Sequence, residues 1–274
     1  MKYRLLPIIF ILFGCLSIKT AAQGDLLISP NRVVFEGRKQ KAELNLINTG
    51  KETTTYTVSF VQRRMKEDGS FESIEEPDPG QMFASPYLRI YPRQVTLQPG
   101  EAQVVMVQCT RTPDMPDGEY RSHLYFRSEK NYTPLGKEPI DTSRTLSVQL
   151  IPVFGMSIPV IIRSGEVSIN TSLSDLKFEN KEDAPYISFT INRTGNISVY
   201  GNLSVEYIPK QGKPIAVGLV RGVAVYTNIN YRFVSIKLNK SEGTIFNGSR
   251  LKVRYTTQDD AKKQAIYAEA ELEL

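Results

Sequence analysis

From Leu146 to Ile158 every second residue is apolar: Leu146, Val148, Leu150, Pro152, Phe154, Met156 and Ile158. The opposite row begins Ser147, Gln149 and then turns mixed. A two-residue period sends one row of side chains to one side of a strand. The same period recurs along the chain. Val33-Val34-Phe35 stops at Glu36-Gly37, and Ala42, Leu44 and Leu46 alternate with Glu43 and Asn45 up to Asn48-Thr49-Gly50. Tyr56, Val58 and Phe60 open a strand running towards Met65, with Asp68-Gly69 as a hairpin signal behind it. Ile90, Val95 and Leu97 lead to the turn Gln98-Pro99-Gly100; Val104 to Val107 follows, and Leu124-Tyr125-Phe126 comes after Asp117-Gly118. No stretch beyond residue 22 has sustained helical spacing. Short strands punctuated by turns predict a β-sandwich.

Pro159 and Arg163-Ser164-Gly165 mark a junction, dividing an expected first sandwich (23–160) from a second (161–274). The second half repeats the style in Tyr186 to Ile191, Ile197 to Ile208, Ile215 to Tyr226, Phe233 to Leu238, Leu251 to Tyr255 and Ile266 to Leu274, with Asp259-Asp260 in the last hairpin. About a hundred residues is the usual size of an immunoglobulin-like unit. The fold class expected is all-β, with two immunoglobulin-like β-sandwich domains. Between the first sandwich and the alternating strand, 129–144 is polar, carries Pro134, Gly136 and Pro139, and reads as a long mobile loop.

The first 22 residues break this pattern. Lys2 and Arg4 precede an apolar run, Leu5 to Phe13, and Thr20-Ala21-Ala22 supplies small residues for cleavage before Gln23, which predicts a secretory signal. The run is too short to span a bilayer comfortably. An alternative uses Leu12-Phe13-Gly14-Cys15, which looks like a lipobox with Cys15 lipidated. In either case Cys109 is left without a partner in the chain and reads as a small buried hydrophobe in a strand.

Composition narrows the chemistry. The chain has 274 residues, 41% hydrophobic and 23% charged, which excludes wholly disordered and collagen-like classes. Removing Lys2, Arg4 and Lys19 with the signal takes the formal charge from +5 to +2, no footprint for nucleic acid. Two cysteines and one histidine argue against a disulfide scaffold and a His/Cys zinc site. His123 is the single candidate for any histidine-dependent triad, and it reads as structural. Glu75, Glu76 and Asp78 could suggest paired carboxylates but sit in a Pro-rich loop, where a solvated surface is the simpler reading. No G-x-S-x-G, G-x-G-x-x-G or P-loop motif is present. Asp117-Gly118-Glu119-Tyr120 looks like a tyrosine corner, with Tyr120 structural.

Arg32-Val33-Val34-Phe35-Glu36-Gly37, followed by Ala42-Glu43-Leu44-Asn45-Leu46 and Asn48, resembles the first two strands of the PapD-like periplasmic pilus (fimbrial) assembly chaperones. Ile90-Tyr91-Pro92 through Leu97-Gln98-Pro99-Gly100, then Thr112-Pro113-Asp114, Pro116 and Ser122 to Phe126, continue the resemblance in order over about residues 26–160. The resemblance implies two immunoglobulin-like sandwiches set at an angle, no enzymatic activity and no cofactor. It implies a periplasmic location in a Gram-negative bacterium. Its partners would be fimbrial or surface protein subunits, with an outer-membrane usher as a further one and no nucleic acid. The mechanism implied is donor-strand complementation, in which the chaperone lends an extended strand to an incomplete sandwich.

On that resemblance Leu146, Val148 and Leu150 fall on the donor strand, with Phe154 on the same row, and Arg32 maps onto a cleft residue that grips the subunit's terminal carboxylate. A guanidinium suits the task because it makes two parallel bonds to a carboxylate. The family's second cleft cation, a lysine, aligns with Gly155, a departure; Arg144 and Arg163 lie near it in sequence. An unbound donor strand is an apolar edge, so a self-capping dimer is expected. The bland alternatives stand beside these: Leu146, Val148 and Leu150 as ordinary core, Arg32 as a surface residue, and the chain as a non-chaperone envelope or surface module of two immunoglobulin-like domains.

Overall fold

A computed structural model describes residues 26–129, 154–181, 184–239, 246, 248–258 and 265–274. Leu146, Val148, Leu150, Arg144, most of the 129–144 segment, the N-terminal signal and Asp259-Asp260 lie outside the described residues. The chain is built of strands; a single 3₁₀ turn at Ser85–Tyr87 is the one helical element among the described residues.

The first half contains β1 (Leu26–Ser29), β2 (Val33–Phe35), β3 (Lys41–Asn48), β4 (Thr54–Met65), β5 (Phe71–Ile74), β6 (Leu88–Tyr91), β7 (Gln94–Leu97), β8 (Ala102–Cys109), β9 (Gly118–Glu129) and β10 (Gly155–Ser164). One sheet has the order β1-β3-β8-β6; the other runs β2-β10-β9-β4-β5, with β7 also paired to β4. Their inner faces close on one apolar cluster that includes Phe35, Leu44, Leu46, Val105, Val107, Leu124 and Phe126. Cys109 is buried in that cluster, as its position in an alternating strand predicts.

The second half contains β11 (Ile169–Lys181), β12 (Ala184–Gly195), β13 (Val199–Ile208), β14 (Ile215–Val225), β15 (Tyr231–Lys237), β16 (Arg250–Thr256) and β17 (Ile266–Glu273). Its sheets are β11-β12-β15 and β14-β13-β16-β17, and they bury a separate cluster around Ile187, Leu203, Val205, Val253 and Tyr255. The chain is therefore all-β, two sandwiches with two cores. β11 does not show in the sequence pattern. The pairing of β11 with β12 slips between Ser174 and Lys177, next to Asp175 at φ 56°, so the apolar row moves from Leu173 to Leu176 and Phe178 and the alternation is broken.

Strands β9 and β10 position everything that follows. On β9, Tyr120, Leu124 and Phe126 point into the first core. The Tyr120 hydroxyl donates to the Pro116 carbonyl at 3.1 Å, the tie of a tyrosine corner. Tyr120→Phe should cost about 1 kcal/mol in urea unfolding, the net worth of one such bond; an unchanged midpoint would count against the corner as a structural tie. β10 lies between β9 (antiparallel) and β2 (parallel, Val33 opposite Val160). Along its apolar row, Ile158, Val160 and Ile162 are buried in the first core, whereas Met156 and Phe154 are 39% and 54% exposed. The row thus runs out beyond the core that its inner end fills.

Candidate functional site

The second row of β9 carries Glu119, Arg121 and His123, three ionisable side chains at every second position. Alternation alone would give this row to solvent, yet they are only 1%, 3% and 4% exposed. The second sandwich covers them. Arg121 Nη2 donates to Glu119 Oε1 at 2.5 Å and to Ser198 Oγ at 2.6 Å, while its guanidinium stacks 3.7 Å from the Tyr226 ring. Glu119 Oε2 accepts from the Ser198 backbone N–H (3.0 Å) and hydroxyl (2.8 Å). His123 Nε2 lies 3.2 Å from the Tyr226 hydroxyl. Two units are thereby joined through a buried ion pair with hydrogen bonds on both charges, the condition under which such a pair is sustained.

Burial pushes the Glu119 carboxyl upward, but Arg121, Arg163 and the Ser198 hydrogen bonds outweigh it and bring it down to about 2. For His123 burial and the positive charges of Arg121 and Arg63 act together, lowering it to about 3, so the imidazole is neutral near pH 7.

A hairpin of the first unit adds a second clasp. Asp68-Gly69 turns the chain between β4 and β5, and the Gly69 φ of +84° is left-handed, as the hairpin signal requires. Asn228 Nδ2 donates to the Met65 carbonyl (2.9 Å), and the Phe233 N–H donates to the Glu67 carbonyl (2.7 Å). Met65 packs with Ala224 and Tyr226, and the Phe71 ring sits 5.4 Å from that of Tyr226.

Between these clasps is a cleft of about 240 Å³, lined among others by Arg32, Phe71, Pro159, Tyr200, Tyr226 and Arg232. Arg32 is half-buried, its guanidinium 4.2 Å from the centre of the Tyr200 ring. Burial, helped by the positive charge of Arg121, lowers it to about 10, so it remains a cation at neutral pH. Arg32 makes no ion pair among the described residues.

The other sequence-derived positions separate. Phe154 is exposed at the far end of β10, where its carbonyl accepts from the Ser128 N–H at 3.0 Å. Gly155 is not a neighbour of Arg32: the β2–β10 register brings Pro159 to that end, and Gly155 is four residues, about 13 Å, back along the strand. A Cβ at Gly155 would lie 2.1 Å from the Tyr125 hydroxyl, so Tyr125 fills the space a longer residue would use. Arg163 is engaged with Glu36 and lies 3.5 Å from Glu119. Asp78 accepts two bonds from Arg64, at 2.8 and 2.5 Å, as a loop ion pair. Glu119, Arg121, Ser198, Tyr226 and Arg232 were not legible as a site. The available signal was three ionisable groups on one row of a strand, including the sole histidine.

No family model matches the sequence, and neither does any curated protein. Solved structures of the same general shape do. A YadV chaperone is 14% identical, with 92% of this chain and 100% of that one covered and a TM-score of 0.46. The chain is similar to chaperones. The CsuC–CsuE chaperone–tip adhesion subunit pre-assembly complex of Acinetobacter baumannii gives 14% identity, 90% and 98% coverage and a TM-score of 0.45. The Pseudomonas aeruginosa CupB2 chaperone gives 12% identity, 90% and 100% coverage and a TM-score of 0.43.

Proposed function

We propose that this protein is a periplasmic chaperone of a Gram-negative bacterium that binds incomplete β-sandwich subunits of fimbriae or other surface structures and lends them a strand. The observation that carries the reading is the β10 row. Its apolar alternation starts at Leu146 in the sequence, and its described part passes from buried Ile158 to exposed Met156 and Phe154. An apolar row that outruns its own core is suited to a groove in another molecule. A sandwich lacking one strand offers such a groove between two unpaired edges. An extended donor would satisfy the edge hydrogen bonds and fill alternate pockets with Leu146, Val148, Leu150 and Phe154. Each filled pocket is worth roughly 1.5–3 kcal/mol. Arg32, which lines the cleft and makes no ion pair among the described residues, would hold a carboxylate of the subunit. The process needs no cofactor and no nucleotide, and release follows when another strand replaces the donor. Domains 23–160 and 161–274 after a signal of 22 residues, an usher as second partner and a self-capped dimer at rest complete the proposal.

The test is to recover the tagged protein from periplasm and identify what co-purifies. Surface subunits are expected with the native chain. Replacing Val148, Leu150 and Phe154 with Ser should lower their recovery and shift a dimer to monomer while changing the melting temperature little. A large fall in melting temperature with unaltered partners would mean that the row is core, and the non-chaperone module would be the better account.

A further inference from the structure

The sheet β1-β3-β8-β6 turns an apolar strip outward. Its inward row, with Leu44, Leu46, Val105 and Val107, fills the first core, so the alternate positions face away from that core. On β8 those outward positions are Ala102, Val104, Met106 and Gln108, three of them apolar where a solvated face would be polar. The register sets Tyr91 of β6 opposite Met106, and Leu27 of β1 opposite Ile47 of β3. Val104 lies opposite Asn45, one diagonal step from Ile47, and joins the two pairs. Tyr91, Leu27, Val104 and Met106 are 79%, 52%, 43% and 37% exposed. The strip thus crosses all four strands. One end of the same face is basic. Lys41, Gln108 and Arg89 stand level across β3, β8 and β6, and the turn before β3 adds Arg38 and Lys39. Arg111 Nη1 donates to the Gly37 carbonyl and ties that turn to the end of β8. None of these five cations makes an ion pair among the described residues. At the outward positions of the four strands the one acid is Glu43.

A contiguous apolar patch on a monomer marks a contact surface. The charges beside it select the partner. We propose that this face docks reversibly on an anionic lipid bilayer, with Tyr91, Met106 and Val104 entering the boundary between headgroups and acyl chains and with Lys41, Arg89, Arg38 and Lys39 on the lipid phosphates. A tyrosine suits that boundary because its ring is apolar and its hydroxyl stays wet. Lysine and arginine lay their stems along apolar surface while their charges reach the phosphates. A second copy of the chain would bring five more cations and one more acid to the contact and leave most of the charge unmatched, whereas a layer of phosphates matches it. The attraction of each cation to such a surface is screened by salt, so the contact is released at high ionic strength. The inference stands apart from the chaperone reading, which uses β10 in the other sheet of the sandwich, so the docked protein keeps that row free for a subunit.

The experiment mixes the chain from residue 23 onward with vesicles of phosphatidylcholine, alone or with about one-third phosphatidylglycerol, and measures co-sedimentation. The sequence has no tryptophan, so Tyr91→Trp places a single reporter on the face and Phe233→Trp one on the exposed surface of the second sandwich. The native chain is expected to bind the anionic vesicles, and to bind phosphatidylcholine alone more weakly by about tenfold or more. The emission of Tyr91→Trp should shift to the blue on anionic vesicles, and that of Phe233→Trp should not. Lys41→Gln and Arg89→Gln should each weaken binding by about fivefold. Val104→Ser and Met106→Ser should weaken it with little change in melting temperature, Glu43→Gln should tighten it, and Lys237→Gln on the second sandwich should leave it unchanged. Equal binding to the two kinds of vesicle, an unshifted Tyr91→Trp in the bound protein, or full affinity in the double variant Lys41→Gln, Arg89→Gln would overturn the proposal. A blue shift of Tyr91→Trp that grows with protein concentration in the absence of vesicles would overturn it too, and would assign the face to a second copy of the chain.

Discussion

Acidifying the protein from pH 7 to about 4.5 is expected to remove about 3 kcal/mol of stability through His123 alone. The folded state holds this imidazole neutral down to about pH 3, because it is buried beside Arg121 and Arg63. The unfolded chain protonates it near 6.5, so between these values the unfolded state binds more protons. Stability from His123 is therefore fully present above about 6.5 and falls as the pH is lowered towards 3. His123→Gln keeps a neutral group against the Tyr226 hydroxyl and should flatten the urea-unfolding free energy between pH 6.5 and 4.5. An unchanged slope in that variant would place the acid sensitivity elsewhere.

The second large effect belongs to Arg121. Arg121→Met leaves Glu119 buried, with Ser198 as its remaining close partner and Arg163 3.5 Å away. Removing one member of a buried pair costs about 3–5 kcal/mol, and here the loss falls on the junction of the two sandwiches. Adding Glu119→Gln should restore much of it, since the stranded charge goes too; the double-mutant cycle measures that coupling. Glu119 also contributes a lower acid limb. Its folded value is about 2 against an ordinary 4.5, so its stabilisation is present above about 4.5 and is lost as the pH falls towards 2. Glu119→Gln should erase that limb. A cost below about 1 kcal/mol for Arg121→Met would mean that the pair is solvated enough to be dispensable.

The strands were readable where one face meets a core and the other meets water. β3, β8 and β9 announce themselves through Leu44 and Leu46, Val105 and Val107, and Leu124 and Phe126, each spaced by two and each buried. The bulge at Asp175 hid β11 because it moves the apolar row to the other parity. The cleft was hidden for a different reason. Glu119, Arg121 and His123 occupy what a lone sandwich would present to solvent, and periodicity carries no information about a second domain laid over that face. The same row becomes exposed again at Arg127 and Glu129, beyond the reach of Ser198 and Tyr226. Arg32 and Arg232 line one cleft only because the β4–β5 hairpin meets β15, a juxtaposition that no sequence period carries. The β2–β10 register sets Pro159, and not Gly155, level with Arg32.

The parallel pairing of β2 with β10 has a consequence for the order of assembly. Val33 finds its partner only when Val160 exists, and Glu119 finds Ser198 later still. A chain delivered from its N-terminus carries β2 unpaired on that side through more than a hundred residues of delivery. Such long separations slow folding, because loop-closure entropy is lost before the contacts form. The first sandwich therefore closes late, and β10, between β2 and β9, is the strand that completes it.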